Sequence, residues 1–197
     1  MLEASLTTFF TQKLAVVTGG RIVIGFSGGL DSSVLLHVLA RSATTLNIPM
    51  VALHVHHGLS KNADQWAAHA IQFCQVRGID CQIVYATVKN RASIEAAARE
   101  ARHQAFASFL KKNDCLCLAQ HRGDQAETVL LRLLRGSGVK GLSAMQEEGR
   151  FCLADDGDIP LYRPLLGYSR QALYDYAQQQ GLTWVEDESN TNEDRKS

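Results

Sequence analysis

The chain has 197 residues, of which 46% are hydrophobic, and its 20 basic and 20 acidic side chains cancel. This length and hydrophobic content predict one folded domain with a sizeable core and exclude a disordered chain. A neutral net charge also argues against a domain whose whole surface binds nucleic acid, although it allows local basic patches.

The amino-terminal sequence "MLEASLTTFFTQKLAVVTGG" contains Glu3 and no basic cluster, so it predicts an amphipathic first helix and not a signal peptide. No apolar run in the sequence is long enough to span a bilayer. The five cysteines are odd in number and stand largely in apolar segments, which favours buried reduced thiols. We therefore expect a cytoplasmic protein without a membrane partner.

The segment "RIVIGFSGGLDSSVLLHVLA" predicts a buried strand over 22–26 and a helix whose apolar face begins at Val34. Between them lies a short polar loop at a strand-to-helix junction. The first N–H groups of a helix lack partners, and glycines let an anion approach them, so this loop predicts a phosphate site. It lacks the lysine of a P-loop and the G-x-G-x-x-G spacing of a dinucleotide site. The loop consists of Ser27, Gly28, Gly29, Leu30, Asp31, Ser32 and Ser33. The alternative is an ordinary turn in which Asp31 or a serine caps the helix.

Strands and helices then alternate to residue 138, which predicts an α/β fold with a doubly wound, mostly parallel sheet and helices on both faces. Ligands of such sheets bind at the carboxyl ends of the strands. Four loops should meet there: 27–33, 54–58, 89–93 and 120–124. From residue 149 the pattern changes to two short strands around an acidic turn, followed by a helix capped at its start and closed by Gly181. We divide the chain into residues 1–148 and residues 149–197, the second part continuing the same core and ending in a polar tail typical of a truncated or disordered segment.

The second of these loops, "LHVHHGLS", contains His54, His56 and His57. A zinc site is the first hypothesis for such a cluster, but the sequence offers no third-ligand pattern such as H-E-x-x-H beside it. Stacking on a nucleotide or hydrogen bonding to it fits better. We assign His54 and His56 to nucleotide binding and predict no zinc site.

The helix after the third loop, "SIEAAAREARHQAF", carries Arg99 and Arg102 after Glu95. The i,i+4 pair of Glu95 and Arg99 is the ordinary surface interpretation. Its apolar face is mostly alanine, so the helix should pack closely and place guanidinium groups over the strand ends, where they could meet a phosphate or a base.

The fourth loop, "AQHRGDQAETVLLRLLRGSG", places Asp124 and Glu127 three residues apart at the start of a helix. One interpretation is structural: Asp124 caps the helix and Glu127 completes a capping box. The other is functional: two carboxylates at the strand ends bind a cationic substrate, or a magnesium ion beside pyrophosphate. The turn at 136–138 that follows is either a backbone contact to RNA or a helix stop.

Taken together, these motifs resemble the tRNA(Ile)-lysidine synthetases, which belong to the PP-loop superfamily of N-type ATP pyrophosphatases. The resemblance runs in order from about Arg21 to Asn190 and rests on S-G-G-L-D-S-S, H-V-H-H-G-L, E-A-A-A-R-E-A-R, H-R-G-D-Q-A-E-T…L-L-R-G-S-G and R-P-L-L…W-V-E-D-E-S-N. It implies an adenine nucleotide α-hydrolase-like fold in which residues 1–148 form the ATP-binding catalytic domain. It also implies a reaction: ATP adenylates the C2 oxygen of the wobble cytidine in a CAU anticodon, and the ε-amine of free lysine displaces AMP to give lysidine.

The resemblance also implies roles for the residues. The loop 27–33 would hold the phosphates, with Asp31 positioning magnesium on them, while Asp124 and Glu127 would receive lysine and Arg99 would face the nucleotide or the activated intermediate. The sequence departs from the family at Gln120 and Gly123, which stand at the first His and first Asp of the usual H-H-x-D-D-Q, so one carboxylate of the usual set is missing. The family's additional C-terminal tRNA-recognition domains would follow beyond this chain. A PP-loop tRNA thiolase and a non-catalytic nucleotide-binding module are the alternatives.

Overall fold

A computed structural model describes residues 2–14, 17, 19–86, 94–134, 136, 144–153 and 157–186. Within these ranges the chain forms six helices and six strands, in the alternating order that the sequence predicts. The helices are α1 Leu2–Leu14, α2 Leu30–Leu46, α3 Ala63–Gln75, α4 Ile94–Phe109, α5 Arg122–Leu134 and α6 Arg170–Gln179. The strands are β1 Ile22–Gly25, β2 Met50–His56, β3 Asp80–Tyr85, β4 Cys115–Cys117, β5 Glu148–Leu153 and β6 Gly157–Tyr162.

The strands form one sheet in the order β3-β2-β1-β4-β6-β5. All neighbouring pairs are parallel except the β5–β6 hairpin at one edge. The prediction of a doubly wound, mostly parallel α/β sheet is thus confirmed. From β1 the chain proceeds outward through β2 and β3, then returns to the other side of β1 as β4. The crevice between the carboxyl ends of β1 and β4 is therefore the topological switch point, where ligands bind in such sheets.

The central strands are buried on both faces, as their continuous apolar runs predict. In β1, Ile22 and Ile24 pack into one core with α1, α2, α3 and α6, while Val23 packs into a second core with α4. Cys115 and Cys117 of β4 point to the first core and Leu116 to the second. Cys115 and Cys117 therefore share one side of the strand, and both are fully buried.

Residues from 149 onward contribute to the same sheet. Strand β6 pairs with β4 through Leu161 and Tyr162, and α6 packs against α2 through Leu173, Tyr176 and Ala177. Ser169 caps α6 by accepting a hydrogen bond from the backbone of Ala172, at 3.2 Å, as predicted. No helix in the described part of the chain is long and apolar enough to cross a membrane.

Candidate active site at the carboxyl edge of the sheet

The loop 27–33 leaves β1 at the switch point and enters α2. Gly28 has φ +84°, a conformation that favours glycine, and Gly29 is the N-cap of α2 without a side-chain cap. The alternative in which Asp31 or a serine caps this helix is therefore wrong, because the N-cap is Gly29: Ser27 precedes it, and Asp31, Ser32 and Ser33 lie in the first turn of the helix. The first N–H groups of α2 consequently have no side-chain acceptor from the N-cap, as an anion site requires.

Hydroxyl groups fix the shape of this loop from inside. The Ser27 and Ser32 Oγ atoms lie 3.0 Å apart, and Ser32 also lies 3.0 Å from the carbonyl oxygen of Gly29. The Ser33 hydroxyl donates to the carbonyl oxygen of Gly28 at 3.5 Å. The loop is therefore held in place before any ligand arrives, which lowers the entropy cost of binding one.

A segment after α6 returns to the same loop. The backbone N–H of Val185 donates to the carbonyl oxygen of Gly28 at 2.9 Å. A Cβ atom on Gly28 would lie 3.3 Å from Val185 Cγ2 and 3.4 Å from His69 Cδ2. Local sequence patterns do not indicate this contact, because its two partners are more than 150 residues apart in the chain. The neighbouring residues 187–197, on which the predicted polar tail and the E-D-E-S-N motif largely fall, lie outside the described residues.

Asp31 is the charged residue of the loop. Its Oδ1 atom is buried and has no hydrogen-bond partner among the described residues. Burial raises the pKa of this carboxyl group; the positive charges of His121 and Arg170 partly offset the effect, and Asp124 adds to it. A buried carboxylate oxygen with an open coordination position is suited to a cation, because an unpaired buried charge is otherwise costly.

The second loop, after β2, carries the three histidines, and each has a different environment. His54 is buried and its Nδ1 donates to the carbonyl oxygen of Phe26 at 2.9 Å, joining the ends of β1 and β2. His56 Nε2 lies 2.9 Å from the carboxylate of Asp64. The His57 Nδ1 atom is buried without a partner among the described residues, and burial followed by the charge of Arg102 lowers the pKa of this imidazole to about 4.

Helix α4 places Arg99 and Arg102 on its solvent side. Desolvation by the surrounding protein lowers the pKa of Arg102, and the positive charge of Arg99 lowers it further. The effect of Arg99 means that the two guanidinium groups are close enough to repel each other. Arg99 likewise lowers the pKa of Arg163, after the larger effect of burial. This side of the site therefore accumulates positive charge. The predicted approach to α4 at 89–93, and the side chain of Glu95, lie outside the described residues.

The fourth loop places Asp124 in the first turn of α5. His121 is the N-cap, because its carbonyl oxygen accepts the first helical hydrogen bond, from Gln125 at 3.2 Å. The backbone N–H of His121 donates to Asp124 Oδ2 at 2.7 Å, and His121 Nδ1 lies 2.7 Å from the same oxygen. The N-cap therefore lies three residues before Asp124, and the interpretation in which Asp124 is the N-cap and Glu127 its capping-box partner is wrong.

The charges of this turn follow from that contact. Burial raises the pKa of Asp124, but the hydrogen bonds from His121 outweigh it and lower the pKa overall. The same hydrogen bond raises the pKa of His121. The side chain of Asp124 is 41% exposed, so the carboxylate is ionised and still accessible to a ligand. Glu127 lies one turn further along α5, on its exposed side.

Sequence reasoning missed two participants at this edge. His121 is only 9% exposed and carries the contact with Asp124. Arg163, directly after β6, donates from Nε to Gln120 and from Nη1 to the carbonyl oxygen of Gln146, the latter at 3.0 Å. The signal for both was present, since each stands at the carboxyl end of a strand in the sheet order.

Among proteins of known family, a model for the PP-loop domain matches residues 2–196 of this chain. The tRNA(Ile)-lysidine synthase of Pseudomonas syringae pv. tomato is 54% identical over 168 residues, which cover 85% of this chain and 37% of that protein. The enzyme of the same name from Vibrio cholerae is 48% identical over 183 residues, covering 92% of this chain and 40% of that protein. The chain thus spans about two fifths of the length of these curated relatives.

A solved structure confirms the fold. The U34-tRNA thiolase of Methanococcus maripaludis, determined with its 4Fe-4S cluster, aligns with a TM-score of 0.72 at 19% identity, covering 94% of this chain and 65% of that one. At this identity the likeness shows the architecture alone. The match of the PP-loop domain model over nearly the whole sequence, on a sheet whose switch point carries the S-G-G-L-D-S-S loop, identifies this chain as a member of the PP-loop family.

Proposed function

We propose that this chain is the catalytic part of an enzyme that joins lysine to the C2 position of the wobble cytidine of tRNA(Ile) with a CAU anticodon, using ATP and releasing AMP and pyrophosphate. The observation that carries the proposal is that two carboxylates in different environments lie at the switch point, one after β1 and one after β4. Asp31, in the phosphate loop, has a buried Oδ1 atom with no hydrogen-bond partner among the described residues. Asp124, at the start of α5, is ion-paired with His121 and still accessible. The names of the relatives at about half identity support the same substrate.

The phosphate loop accounts for ATP. Backbone N–H groups at the start of α2 and the exposed hydroxyl group of Ser27 would hold the phosphates, which are the leaving group of the adenylation step. The hydroxyl groups of Ser32 and Ser33 are buried and would instead hold the loop in shape around them. The residues present fit magnesium at Asp31, since its open carboxylate oxygen can contribute one ligand while the phosphates contribute others. The described residues contain no cluster of three or more acidic, cysteine or histidine ligands. When bound there, magnesium would neutralise charge that develops on the pyrophosphate.

The second carboxylate accounts for lysine. An amide-like carbonyl reacts poorly with an amine until its oxygen becomes a leaving group, and adenylation supplies that. Free lysine is a cation, and Asp124 and Glu127 offer it two carboxylates on one helix. Because Asp124 Oδ2 is already bound to His121, its other oxygen is the one available to the substrate.

Positive charge on the α4 side of the site would attract the two polyanionic substrates, ATP and tRNA. Arg99 is exposed there and close enough to influence Arg102 and Arg163. A guanidinium group in this position can contact a phosphate oxygen of the nucleotide or stabilise the adenylated base. His54 and His56 remain candidates for the nucleotide, His56 the more accessible of the two because His54 is only 5% exposed.

The thiolase alternative has one structural observation in its favour, the fold shared with the archaeal thiolase. The cysteines of this chain oppose it. All five are described, and Cys74, Cys115 and Cys117 are buried in the core, Cys81 is half-buried at the start of β3, and Cys152 is exposed on the edge strand β5. None stands in the loops that form the carboxyl edge, where a sulfur-transferring thiolate would have to be.

The test is incorporation of labelled lysine into a tRNA(Ile) transcript by the complete natural protein with ATP and magnesium. A matched transcript with uridine in place of the wobble cytidine is the control. The proposal predicts incorporation that requires ATP and the CAU transcript and is absent with the control. Incorporation of sulfur from a donor, with no lysine product, would assign the chain to the thiolases. Nucleotide binding without pyrophosphate release would identify the chain as a non-catalytic nucleotide-binding module.

A further inference from the structure

Helix α5 presents its apolar side to solvent. Four leucines of this helix, which together we call the leucine face, are exposed: Leu130 by 56%, Leu131 by 43%, Leu133 by 51% and Leu134 by 76%. No residue of α5 is buried. A surface helix of a folded protein normally turns its apolar stripe toward the core. Single exposed leucines are common, but a contiguous group of them marks an interaction surface.

The side of α5 that faces the protein is mostly polar. The half-buried residues recur at the spacing of one helical face, and only one of them is apolar: Asp124, Gln125, Thr128, Val129 and Arg132. Hydrogen bonds attach the first turns of the helix on this side. The Gln125 side chain donates to the carbonyl oxygen of Met145 at 2.6 Å and accepts from its backbone N–H at 2.7 Å. These polar contacts orient the helix so that the leucine face points outward.

The chemistry of the leucine face and of its flanks indicates what covers it. It does not suit RNA, because phosphates are bound by cations and hydrogen-bond donors. It suits another apolar helix, and a second copy of α5 offers one with matching charges. Helix α5 begins acidic, with Asp124 and Glu127, and ends basic, with Arg132 and, next in the sequence after Leu134, Arg135.

Antiparallel pairing of two α5 helices would therefore set the acidic half of each beside the basic half of the other. The same arrangement opposes the two helix dipoles, which is the favourable orientation for neighbouring helices. The net charge of this chain is zero, so two copies do not repel each other at long range. Shape, charge and dipole thus agree on one occupant for the leucine face.

We propose that the leucine face is the contact between two copies of this protein, in which the α5 helices pack antiparallel across a two-fold axis near Leu130. Such an isologous contact buries the same leucines in both copies. One helix a side is small beside the roughly 20–30 residues a side of a standard interface, so the dimer depends on protein concentration.

Sedimentation velocity of the complete natural protein, over a wide range of concentration, tests the contact. We expect a monomer–dimer equilibrium whose dissociation constant rises on the order of a hundredfold or more in Leu130→Glu/Leu134→Glu, because the symmetry places each new charge in the apolar contact twice. Glutamate is a good helix former and both positions are exposed, so thermal unfolding should match wild type.

Ile71→Glu/Val76→Glu is the matched control. It adds the same charge at two apolar residues in and directly after α3, which are exposed by 46% and 73%, and it should dimerise like wild type. A wild-type protein that stays monomeric at every concentration would overturn the inference. A dimer whose dissociation constant is the same in wild type and Leu130→Glu/Leu134→Glu would overturn it as well.

Cross-linking tests the orientation of the two helices. In an antiparallel pair centred on Leu130, residue 126 of one copy lies opposite residue 134 of the other, whereas a parallel pair sets each residue beside its own counterpart. Ala126→Cys and Leu134→Cys are each made with Cys152→Ser, because Cys152 is the exposed cysteine of this chain, and are then mixed with a short bismaleimide. We expect links between the two variants, above the background of Cys152→Ser alone.

Links formed only within each variant would overturn the antiparallel arrangement. Both experiments measure association and not turnover, so the proposed function can fail while this inference stands, and the reverse.

Discussion

Val185 and Gly28 are joined by a 2.9 Å backbone hydrogen bond that ties the segment after α6 to the phosphate loop. The bond fixes the carbonyl of a residue whose φ is +84°, so it helps to hold a backbone conformation that has few local constraints. The carboxyl end of the described chain is therefore attached to the proposed nucleotide site, although it follows β1 by more than 150 residues.

Val185→Pro removes the N–H donor and should raise KM for ATP on the order of tenfold, because the phosphate loop loses one of its fixed positions. The measurement is pyrophosphate release as a function of ATP concentration. Val185→Ala is the control, since it keeps the N–H and removes only the two methyl groups of the side chain. Equal KM values for the proline and alanine variants would show that the hydrogen bond has no part in ATP binding.

Gly28→Ala should lower both stability and pyrophosphate release. The left-handed conformation costs a non-glycine residue about 1–2 kcal/mol, and the new Cβ would press on Val185 and His69. Gly78→Ala is the matched control, because Gly78 has φ +66° with nothing within 4 Å of its Cβ position and lies in the turn after α3. Urea unfolding should show a loss of stability in both variants, but only Gly28→Ala should lose activity. Full activity in Gly28→Ala would contradict the assignment of this loop.

Asp31→Asn should separate stability from function. Removing a buried charge that lacks a partner among the described residues should leave the ligand-free chain at least as stable as wild type. Pyrophosphate release should nevertheless fall by about a hundredfold or more, because the amide is a poor magnesium ligand. Thermal unfolding of the ligand-free chain tests the expected stability. Pyrophosphate release at increasing magnesium concentrations tests the expected loss of function. A variant that loses stability and keeps its magnesium dependence would refute the role of Asp31.

Asp114 should control stability in acid. Its carboxylate is 3% exposed and accepts from Arg21 Nη2 at 2.7 Å and from the backbone N–H of Lys111 at 3.0 Å. Burial raises the pKa of Asp114, but these hydrogen bonds outweigh it and hold the pKa below the ordinary value of 3.8. The contribution to stability is therefore complete above pH 3.8 and is lost as the pH falls through the lower, folded value.

Asp114→Asn should thus be less stable than wild type at pH 7 by about 3 kcal/mol, and the difference should shrink below pH 3.8. Urea unfolding at pH 7 and pH 3 measures it. Asp158→Asn on the exposed turn side of β6 is the control and should give little difference at either pH. A constant difference between Asp114→Asn and wild type across this range would mean that the ion pair is not its cause.

The sheet, its helices and the location of the site could be predicted from sequence because each depends on local pattern. Apolar runs at strand length, helical apolar faces and the glycine loop determine β1, α2 and their junction directly. The residue at which each helix begins could not be predicted as reliably. The capping patterns of α2 and α5 were each misassigned, because several Ser, Asp and Gly residues in a row satisfy the same capping rule and tertiary contacts choose among them.

The functional contacts that sequence missed are all non-local. His121 was visible in the motif, but only the structure brings its ring over Gly123 and against Asp124. The bond between Val185 and Gly28 depends on α6 packing on α2, which no local pattern encodes. The junction between β1 and α2 was predicted at the right place for the opposite reason, since strand, loop and helix are consecutive in the chain. Its loop was predicted too long, because α2 begins at Leu30 and residues 30–33 form its first turn.

Pyrophosphate release by the complete natural protein tests the central claim most directly. The reaction contains ATP, magnesium and tRNA(Ile) with a CAU anticodon, and is measured with and without lysine alongside AMP and lysine incorporation. The account predicts one pyrophosphate and one AMP for each lysine incorporated, with sustained turnover only when the tRNA and lysine are both present. Sustained pyrophosphate release that ignores lysine, or nucleotide binding with no release, would contradict it.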